Sequence, residues 1–263
     1  MTAVTGSWTV PAVTGSGTGY CAVWVGIDGY DSSSVEQIGT ESDMVSGQPE
    51  YSVWYEMYPK GSEGIQSMTV SAGDSITASV QYVASGTYKG EFQLTITDTS
   101  RKNDSFTTYQ SYTQAQRSSA EWIIEAPSSN SGVLTLANFG SVAFTGATAT
   151  INGVTGSIDD SNWQETAINI VSDSTTETST STLTDANGVS SFTETYEGSN
   201  SSITKGPSVK GTSLAVHQIA ILSQVTVKHG LIESVPAGAQ ANQTVQDAVF
   251  ASLDALQLKL GLI

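Results

Sequence analysis

Two polar residues, Gln37 and Glu121, lie inside short stretches whose other residues alternate as β-strand residues do. Gln37 is in residues 35–39, and Glu121 is in residues 120–125, where Trp122 is typical of a strand core. A carboxylate within an apolar strand costs free energy unless it reaches water or a polar partner. Glu121 is therefore either an outward-facing residue of a half-exposed sheet or a residue kept for chemistry, such as general acid–base catalysis.

The common catalytic arrangements of hydrolases are not found in the sequence. The two histidines, His217 and His229, are not in an H-E-x-x-H motif, so no zinc site is indicated. No G-x-S-x-G motif occurs, and Cys21, the single cysteine, has no histidine near it in the strand-forming part of the chain. An Asp-Thr-Gly or Asp-Ser-Gly pair and a glycine-rich phosphate loop are also missing. If the protein is an enzyme, carboxylates carry its acid–base chemistry.

Aromatic and acidic side chains share one face of two predicted strands. Successive side chains of a strand point to opposite faces, so Trp24 and Asp28 lie opposite Val23 and Val25. In the strand over residues 51–58 the corresponding face carries Ser52, Trp54, Glu56 and Tyr58. Such a face suits a binding surface with stacking area from its aromatic rings, or equally an ordinary packing surface under a loop.

The alternation continues through most of the chain and predicts an all-β fold. Short strands with turn signals between them and no helical period are typical of a sandwich or a barrel. The predicted strands cover residues 7–12, 21–28, 35–39, 51–58, 68–70, 76–83, 90–98, 106–112, 120–125, 134–139, 142–144, 147–151, 167–171, 178–183 and 191–196. A polar loop is predicted before residue 51.

Composition excludes several classes of function. The 263 residues carry 25 acids against nine bases, a net charge of −16, which argues against nucleic-acid binding and against anionic membranes. No apolar run is long enough to span a membrane, so no membrane insertion is expected. Residues 1–5 have neither the basic start nor the apolar core of a secretory signal. With few bases, self-repulsion at low pH stays mild, which favours tolerance of acid.

The composition changes near residue 198. We predict a β domain over residues 1–198, a linker over 199–212 and an extension over 213–263. The extension has an apolar, strand-like run at residues 214–227 and an amphipathic helix whose apolar stripe runs from Val245 to Leu260. We expect the stripe to dock on the β domain or on another copy of the chain, which would make a homo-oligomer.

Six motifs occur in an order that resembles the glutamic peptidases, or eqolisins, over residues 5–197. The motifs are WVGIDG at 24–29, EQIGT at 36–40, YSVWYEMYP at 51–59, SAGDSI at 71–76, SAEWIIE at 119–125 and FGSVAFTGA at 139–147. The resemblance implies a sandwich of two curved, seven-stranded antiparallel sheets. It also implies a catalytic dyad of Gln37 and Glu121 that needs no metal or cofactor.

In that dyad Glu121 would act as general base and then general acid, and the Gln37 amide would stabilise the oxyanion. An oxyanion donor contributes about 3 kcal/mol in related hydrolases. Trp24, Asp28 and Glu56 match further active-site positions of the family, and Trp54 and Tyr58 share their face. Ser52 stands where the family has a groove aspartate, and Glu41 replaces another family acid.

The resemblance favours a secreted, extracellular, acid-stable endopeptidase that cleaves polypeptides in acid. Two other hypotheses remain open. The first is a non-catalytic structural or assembly protein, such as a surface, virion or filament subunit, whose extension drives assembly. The second is a carbohydrate-binding protein that uses the Trp and Tyr face.

Overall fold

The structure, a computed structural model, describes residues 1–30, 32–129, 132–172, 175–186 and 189–198. Regular secondary structure in these residues consists of β-strands. None of the described residues forms a helix long and apolar enough to cross a membrane. The predicted linker, the apolar run at 214–227 and the amphipathic helix lie outside the described residues, so the division at residue 198 stays a prediction.

Eighteen strands follow one another along the described chain. They are β1 (Ala3–Thr9), β2 (Ala22–Asp28), β3 (Val35–Val45), β4 (Gln48–Tyr58), β5 (Glu63–Gly64), β6 (Ser75–Tyr82), β7 (Phe92–Asp98), β8 (Asp104–Gln110), β9 (Ala120–Glu125), β10 (Ser128–Ser129), β11 (Gly132–Val133), β12 (Ser141–Ile151), β13 (Val154–Ser157), β14 (Val171–Ser172), β15 (Thr175–Thr176), β16 (Thr178–Thr180), β17 (Thr184–Ala186) and β18 (Val189–Tyr196).

The strands form two antiparallel sheets that pack face to face. The larger sheet has nine strands in the order β16-β18-β12-β1-β6-β7-β8, with β13 paired to β12 and β17 paired to β18. The smaller sheet has five strands in the order β5-β4-β3-β2-β9. Two short hairpins, β10-β11 and β14-β15, stand apart from both. The predicted all-β sandwich is therefore confirmed, with nine and five described strands in place of seven and seven.

The core lies between the two sheets and follows the period of two. In β7 the buried apolar side chains are Phe92, Leu94 and Ile96, which alternate with half-buried polar residues. Burying each such side chain stabilises the fold by about 1.5–3 kcal/mol. The five-stranded sheet differs, because β2 and β9 are buried at every position, on both faces.

The hairpin β3-β4 is the largest departure from the predicted elements. β3 continues to Val45 and β4 begins at Gln48, where a short strand and a polar loop were expected. The turn is formed by Ser46 and Gly47, whose φ angles of 51° and 80° suit a two-residue hairpin turn. The alternation was hidden because residues 41–43 are polar on both faces of the strand.

Several other predicted strands are wrong in extent. Residues 68–70 form no strand, and residues 134–139 make only isolated bridges. Residues 142–144 and 147–151 belong to one strand, β12, while 167–171 and 178–183 shrink to β14 and β16. The first strand starts at Ala3 and lies between β12 and β6, inside the larger sheet.

Candidate active site

One face of the five-stranded sheet, opposite the core, brings a row of four residues side by side. We call it the outer face. Glu121 of β9 pairs with Gly26 of β2, Gly26 pairs with Gln37 of β3, and Gln37 pairs with Glu56 of β4. Paired residues of adjacent strands point to the same side. The three polar side chains of this row, named here the dyad row, are fully buried.

Gly26 leaves a gap in the middle of the dyad row. Glu121 and Gln37 lie on the two strands that flank β2, so about 10 Å of sheet separates their backbones. A Cβ at Gly26 would lie 2.9 Å from Cζ3 of Trp24, so the indole ring already reaches under this gap. Gly39 makes room for Trp24 in turn, because a Cβ there would lie 2.5 Å from the Trp24 Cβ. Two glycines therefore shape the space between the dyad residues.

The Gln37 side chain is held by Glu56. Gln37 Nε2 donates a hydrogen bond to Glu56 Oε2 at 2.7 Å, in a fully buried position. Gln37 Oε1 has no hydrogen-bond partner among the described residues. Because a side-chain amide carries two N–H donors, one donor remains for a third group once Glu56 has taken the other.

The Glu121 carboxylate is held at the end of β9 by two neighbours. Ser119 Oγ donates to Glu121 Oε1 at 2.8 Å. Gly29, with φ of 114°, lies so close that a Cβ on it would be 2.7 Å from Glu121 Oε2. A side chain at this position would displace the carboxylate, so glycine is required here for space as well as for its φ angle.

Asp28 anchors the segment that leads into β9. Its carboxylate accepts hydrogen bonds from the backbone N–H groups of Arg117 and Ser118, both at 2.7 Å. The Ser118 and Ser34 hydroxyls donate to it as well, at 3.0 and 3.3 Å. Asp28 is fully buried and adopts φ of 67°. It therefore positions the strand that carries Glu121.

Two further rows run parallel to the dyad row on the outer face. In the first, Trp24 pairs with Ile123 and Gly39, and Gly39 pairs with Trp54. In the second, Ala22 pairs with Glu125 and Glu41, and Glu41 pairs with Ser52. Val35 pairs with Asp28 and Tyr58 in the same way. The nine residues named from the sequence thus have strand positions on this face: Trp24, Asp28, Gln37, Glu41, Ser52, Trp54, Glu56, Tyr58 and Glu121.

Sequence reasoning missed Glu125 and Asp43. Glu125 Oε2 accepts a hydrogen bond of 2.8 Å from Trp24 Nε1, and Asp43 Oδ1 accepts one of 3.2 Å from the backbone N–H of Cys21. Glu125 is four positions after Glu121 on one strand, so the period of two would have put both on the same face. Asp43 was hidden because its strand was predicted to end at residue 39.

Burial raises the pKa of several carboxyls in this sheet. Desolvation, reinforced by the charges of Asp43 and Glu125, raises the pKa of Glu41 well above its ordinary value. The pKa of Glu125 is raised in the same way, and that of Asp43 rises to about 7. Glu36, on the core face of β3, has a pKa of about 9, chiefly through desolvation. In acid these carboxyls are protonated, so burying them does not require a charge to be desolvated.

Comparison with known proteins identifies the family. The sequence profile of the Peptidase A4 family matches residues 1–193. The chain belongs to the Peptidase A4 family, the eqolisins.

Two curated relatives of this Peptidase A4 chain are fungal proteins. Aspergillopepsin-2 of Aspergillus niger is 32% identical over 177 residues, which are 59% of this chain and 61% of the relative. Scytalidopepsin B of Scytalidium lignicola is 32% identical over 167 residues, 61% of this chain and 63% of the relative. The chain therefore spans about three-fifths of the length of each relative.

Solved structures of the family share the fold. Scytalido-glutamic peptidase with a transition state analog inhibitor superimposes with a TM-score of 0.60 at 25% identity, over 74% of this chain and 92% of that one. Aspergilloglutamic peptidase from Aspergillus niger gives a TM-score of 0.56 at 33% identity, over 67% and 98%.

Proposed function

We propose that this protein is an endopeptidase that hydrolyses peptide bonds with Glu121 and Gln37. The observation that carries the proposal is the dyad row, in which the carboxylate and the amide flank Gly26 on one face of the sheet. Membership of the Peptidase A4 family and the similarity to two named glutamic peptidases support it.

The chemistry needs one base and one hydrogen-bond donor. Ionised Glu121 takes a proton from a water molecule, whose oxygen attacks the carbonyl carbon of the substrate. The carbonyl π electrons move to oxygen, and the remaining N–H of the Gln37 amide donates to that oxyanion. Protonated Glu121 then gives its proton to the leaving amine, as the oxyanion electrons re-form the C=O bond and the C–N bond breaks. The carboxylate is regenerated, and no metal or cofactor takes part.

Glu56 serves as a positioning residue in this scheme. A free Gln amide can turn its oxygen or its nitrogen toward the substrate, and only the nitrogen stabilises an oxyanion. An ionised carboxylate can only accept hydrogen bonds. The bond from Gln37 Nε2 to Glu56 therefore fixes which end of the amide is the nitrogen, so that its second N–H can face the substrate.

Acid favours the proposed reaction through other buried carboxyls of the same sheet. The Glu41, Asp43 and Glu125 carboxyls have raised pKa values, so they become neutral as the pH falls. The five-stranded sheet then carries fewer negative charges. We therefore propose an acid-acting enzyme.

The setting and substrate follow from the same proposal. An acid-acting endopeptidase takes a polypeptide as substrate, and we propose that this one is secreted. Trp24, Trp54 and Tyr58 lie on the outer face and would contact an extended peptide bound there. Ser52 and Glu41 lie farther along the same face.

A digestion assay tests the proposal. Denatured casein is incubated with the full chain between about pH 2 and 5, and the rate of new amino termini is measured. Glu121→Gln is expected to lose activity by roughly 100-fold or more, and Gln37→Ala by a similar factor. Glu165→Gln, at an exposed position outside the sheet, is the control and should match the wild type. Cleavage by both dyad variants at the wild-type rate would contradict the proposal and instead favour an assembly protein.

A further inference from the structure

The outer face carries an apolar cluster whose members all come from the five-stranded sheet. Its buried members are Ala22, Trp24, Val35, Trp54 and Ile123, with Tyr58 packed against them. All of them come from β2, β3, β4 and β9, while the larger sheet packs on the opposite face. Even so, Trp24, Trp54 and Ile123 are 0% exposed. Tryptophans on an uncovered sheet face would be expected to show part of their surface.

Outside the dyad row, three polar atoms of the outer face are buried without a hydrogen-bond partner in the described part of the chain. They are Trp54 Nε1, Glu41 Oε2 and Glu125 Oε1. Buried polar atoms are normally satisfied, because leaving them unpaired costs free energy. The set contains one donor and two acceptors. An extended peptide backbone offers both kinds of partner at each residue.

The chain beyond the described residues contains a segment whose chemistry complements this face. Residues 199–263 hold four of the nine Lys and Arg residues and both histidines, but three of the 25 acids. Within them, residues 210–229 have Lys210 and Lys228 near their ends, His217 and His229, and no Asp or Glu. The stretch between the lysines is mostly apolar, which suits a cluster of tryptophans among carboxyls.

Residues 199–209 connect the described chain to the segment that begins at Lys210. The described chain ends at Gly198, so eleven residues precede Lys210. Fully extended, they span about 40 Å. A domain of this size has a radius of gyration of about 16 Å, so the extended connection is about as long as the domain is wide.

We propose that residues 210–229 of the same chain bind across the outer face as a peptide-like blocking segment. Their apolar side chains cover Trp24 and Trp54, and their lysines lie beside the carboxyls. Backbone groups of the segment pair with Trp54 Nε1, Glu41 Oε2 and Glu125 Oε1. The binding itself does not depend on catalysis, whereas the blocking of substrate rests on the proposed peptidase function.

Photo-crosslinking in the full chain tests the binding. Tyr58, half-buried on the outer face, is replaced by p-benzoylphenylalanine, and dilute protein is irradiated and mapped by mass spectrometry. We expect crosslinks within one chain to peptides from residues 210–229. The control places the same probe at Tyr88, which is 43% exposed in the β6–β7 connection, and should give no such crosslink. A Tyr58 probe that reacts only with other residues, or only between two chains, would overturn the proposal.

Charge reversal gives the second test. The pair Lys210→Glu and Lys228→Glu should lower the yield of the Tyr58 crosslink at least about fivefold, since it replaces two cations of the segment by anions in a chain whose net charge is already −16. Lys205→Glu, outside the segment, should leave it unchanged. If the peptidase function also holds, the paired variant cleaves casein faster than the wild type. Crosslinking in the wild type with no cleavage by either the wild type or the paired variant would retain the bound segment and reject the peptidase, whereas cleavage without crosslinking would do the reverse.

Discussion

Gln37 donates a hydrogen bond of 2.7 Å to Glu56, and both side chains lie fully buried in the row that contains Glu121. Replacing Glu56 by Ala should remove the group that orients the Gln37 amide. Hydrogen bonds to charged groups contribute about 1.5–3 kcal/mol, so we expect kcat to fall roughly 10- to 100-fold with little change in KM. Glu56→Gln, which keeps an acceptor oxygen, should recover part of the loss. An effect confined to KM would mean that Glu56 contacts substrate instead of positioning Gln37.

Gly26 separates the dyad residues, and a methyl group there should harm both stability and activity. The added Cβ would lie 2.9 Å from Trp24 Cζ3, 3.1 Å from the Glu36 carbonyl oxygen and 3.2 Å from Gln37 Cβ. Overpacking of this kind costs about 1–3 kcal/mol. Denaturant unfolding should show that loss for Gly26→Ala, together with reduced casein cleavage. Gly17→Ala, where no atom lies within 4 Å of the new Cβ, is the matched control and should unfold like the wild type.

Stability should increase as the pH falls from about 9 to 4.5. The pKa of Glu36 is about 9 in the folded chain against an ordinary value of 4.5, chiefly because it is desolvated. Between these values the folded state binds the proton and the unfolded state does not, so the free energy of unfolding falls as pH rises. Each such group contributes a slope of about −1.4 kcal/mol per pH unit. The pKa of Asp43 is about 7 in the folded chain, so Asp43 adds to this slope between its ordinary pKa of 3.8 and about 7.

The variant Glu36→Gln isolates one group in this effect. A neutral amide replaces the carboxyl, so urea unfolding between about pH 5 and 8 should have a slope shallower by about 1.4 kcal/mol per pH unit. Glu165→Gln, exposed, should keep the wild-type slope. Unchanged pH dependence in the Glu36 variant would show that Glu36 does not carry a raised pKa in the folded protein.

Asp28 should be important for the local order before β9. Asp28→Asn suits the φ of 67°, since Asn tolerates the left-handed region, but it loses the charge that accepts from Arg117 and Ser118. We expect a loss of about 1.5–3 kcal/mol in unfolding free energy at neutral pH. Amide hydrogen exchange at Ser118 should also speed up. If exchange there stays slow while stability falls, the carboxylate acts through contacts other than these two.

The sequence predicted strands well where one face is apolar and the other polar. β9 was predicted with its observed bounds, and the face shared by Ser52, Trp54, Glu56 and Tyr58 was assigned correctly. The period of two was invisible in residues 41–43, because buried polar groups replace the apolar ones. Such groups persist only where partners or protonation offset desolvation, which sequence alone does not show.

Side-chain contacts between neighbouring strands were harder to predict than the face of the sheet on which a residue lies. The bond between Gln37 and Glu56 depends on the register of β3 and β4, which the Ser46-Gly47 turn sets. That dipeptide is a turn signal, so recognising a two-residue hairpin there would have paired Gln37 with Glu56. The role of Asp28 depends on a loop almost ninety residues away, and nothing local indicates it.

The two-residue turn at Ser46 and Gly47 makes this hairpin intolerant of changes in length. Surface connections elsewhere can lengthen or shorten at little cost, but inserting or deleting one residue here would slip β4 by one position relative to β3. Glu56 would then turn toward the apolar core and Met57 toward the groove. Among the connections of the smaller sheet, this one should therefore keep its length in any lineage that retains the dyad, however much its residue types drift.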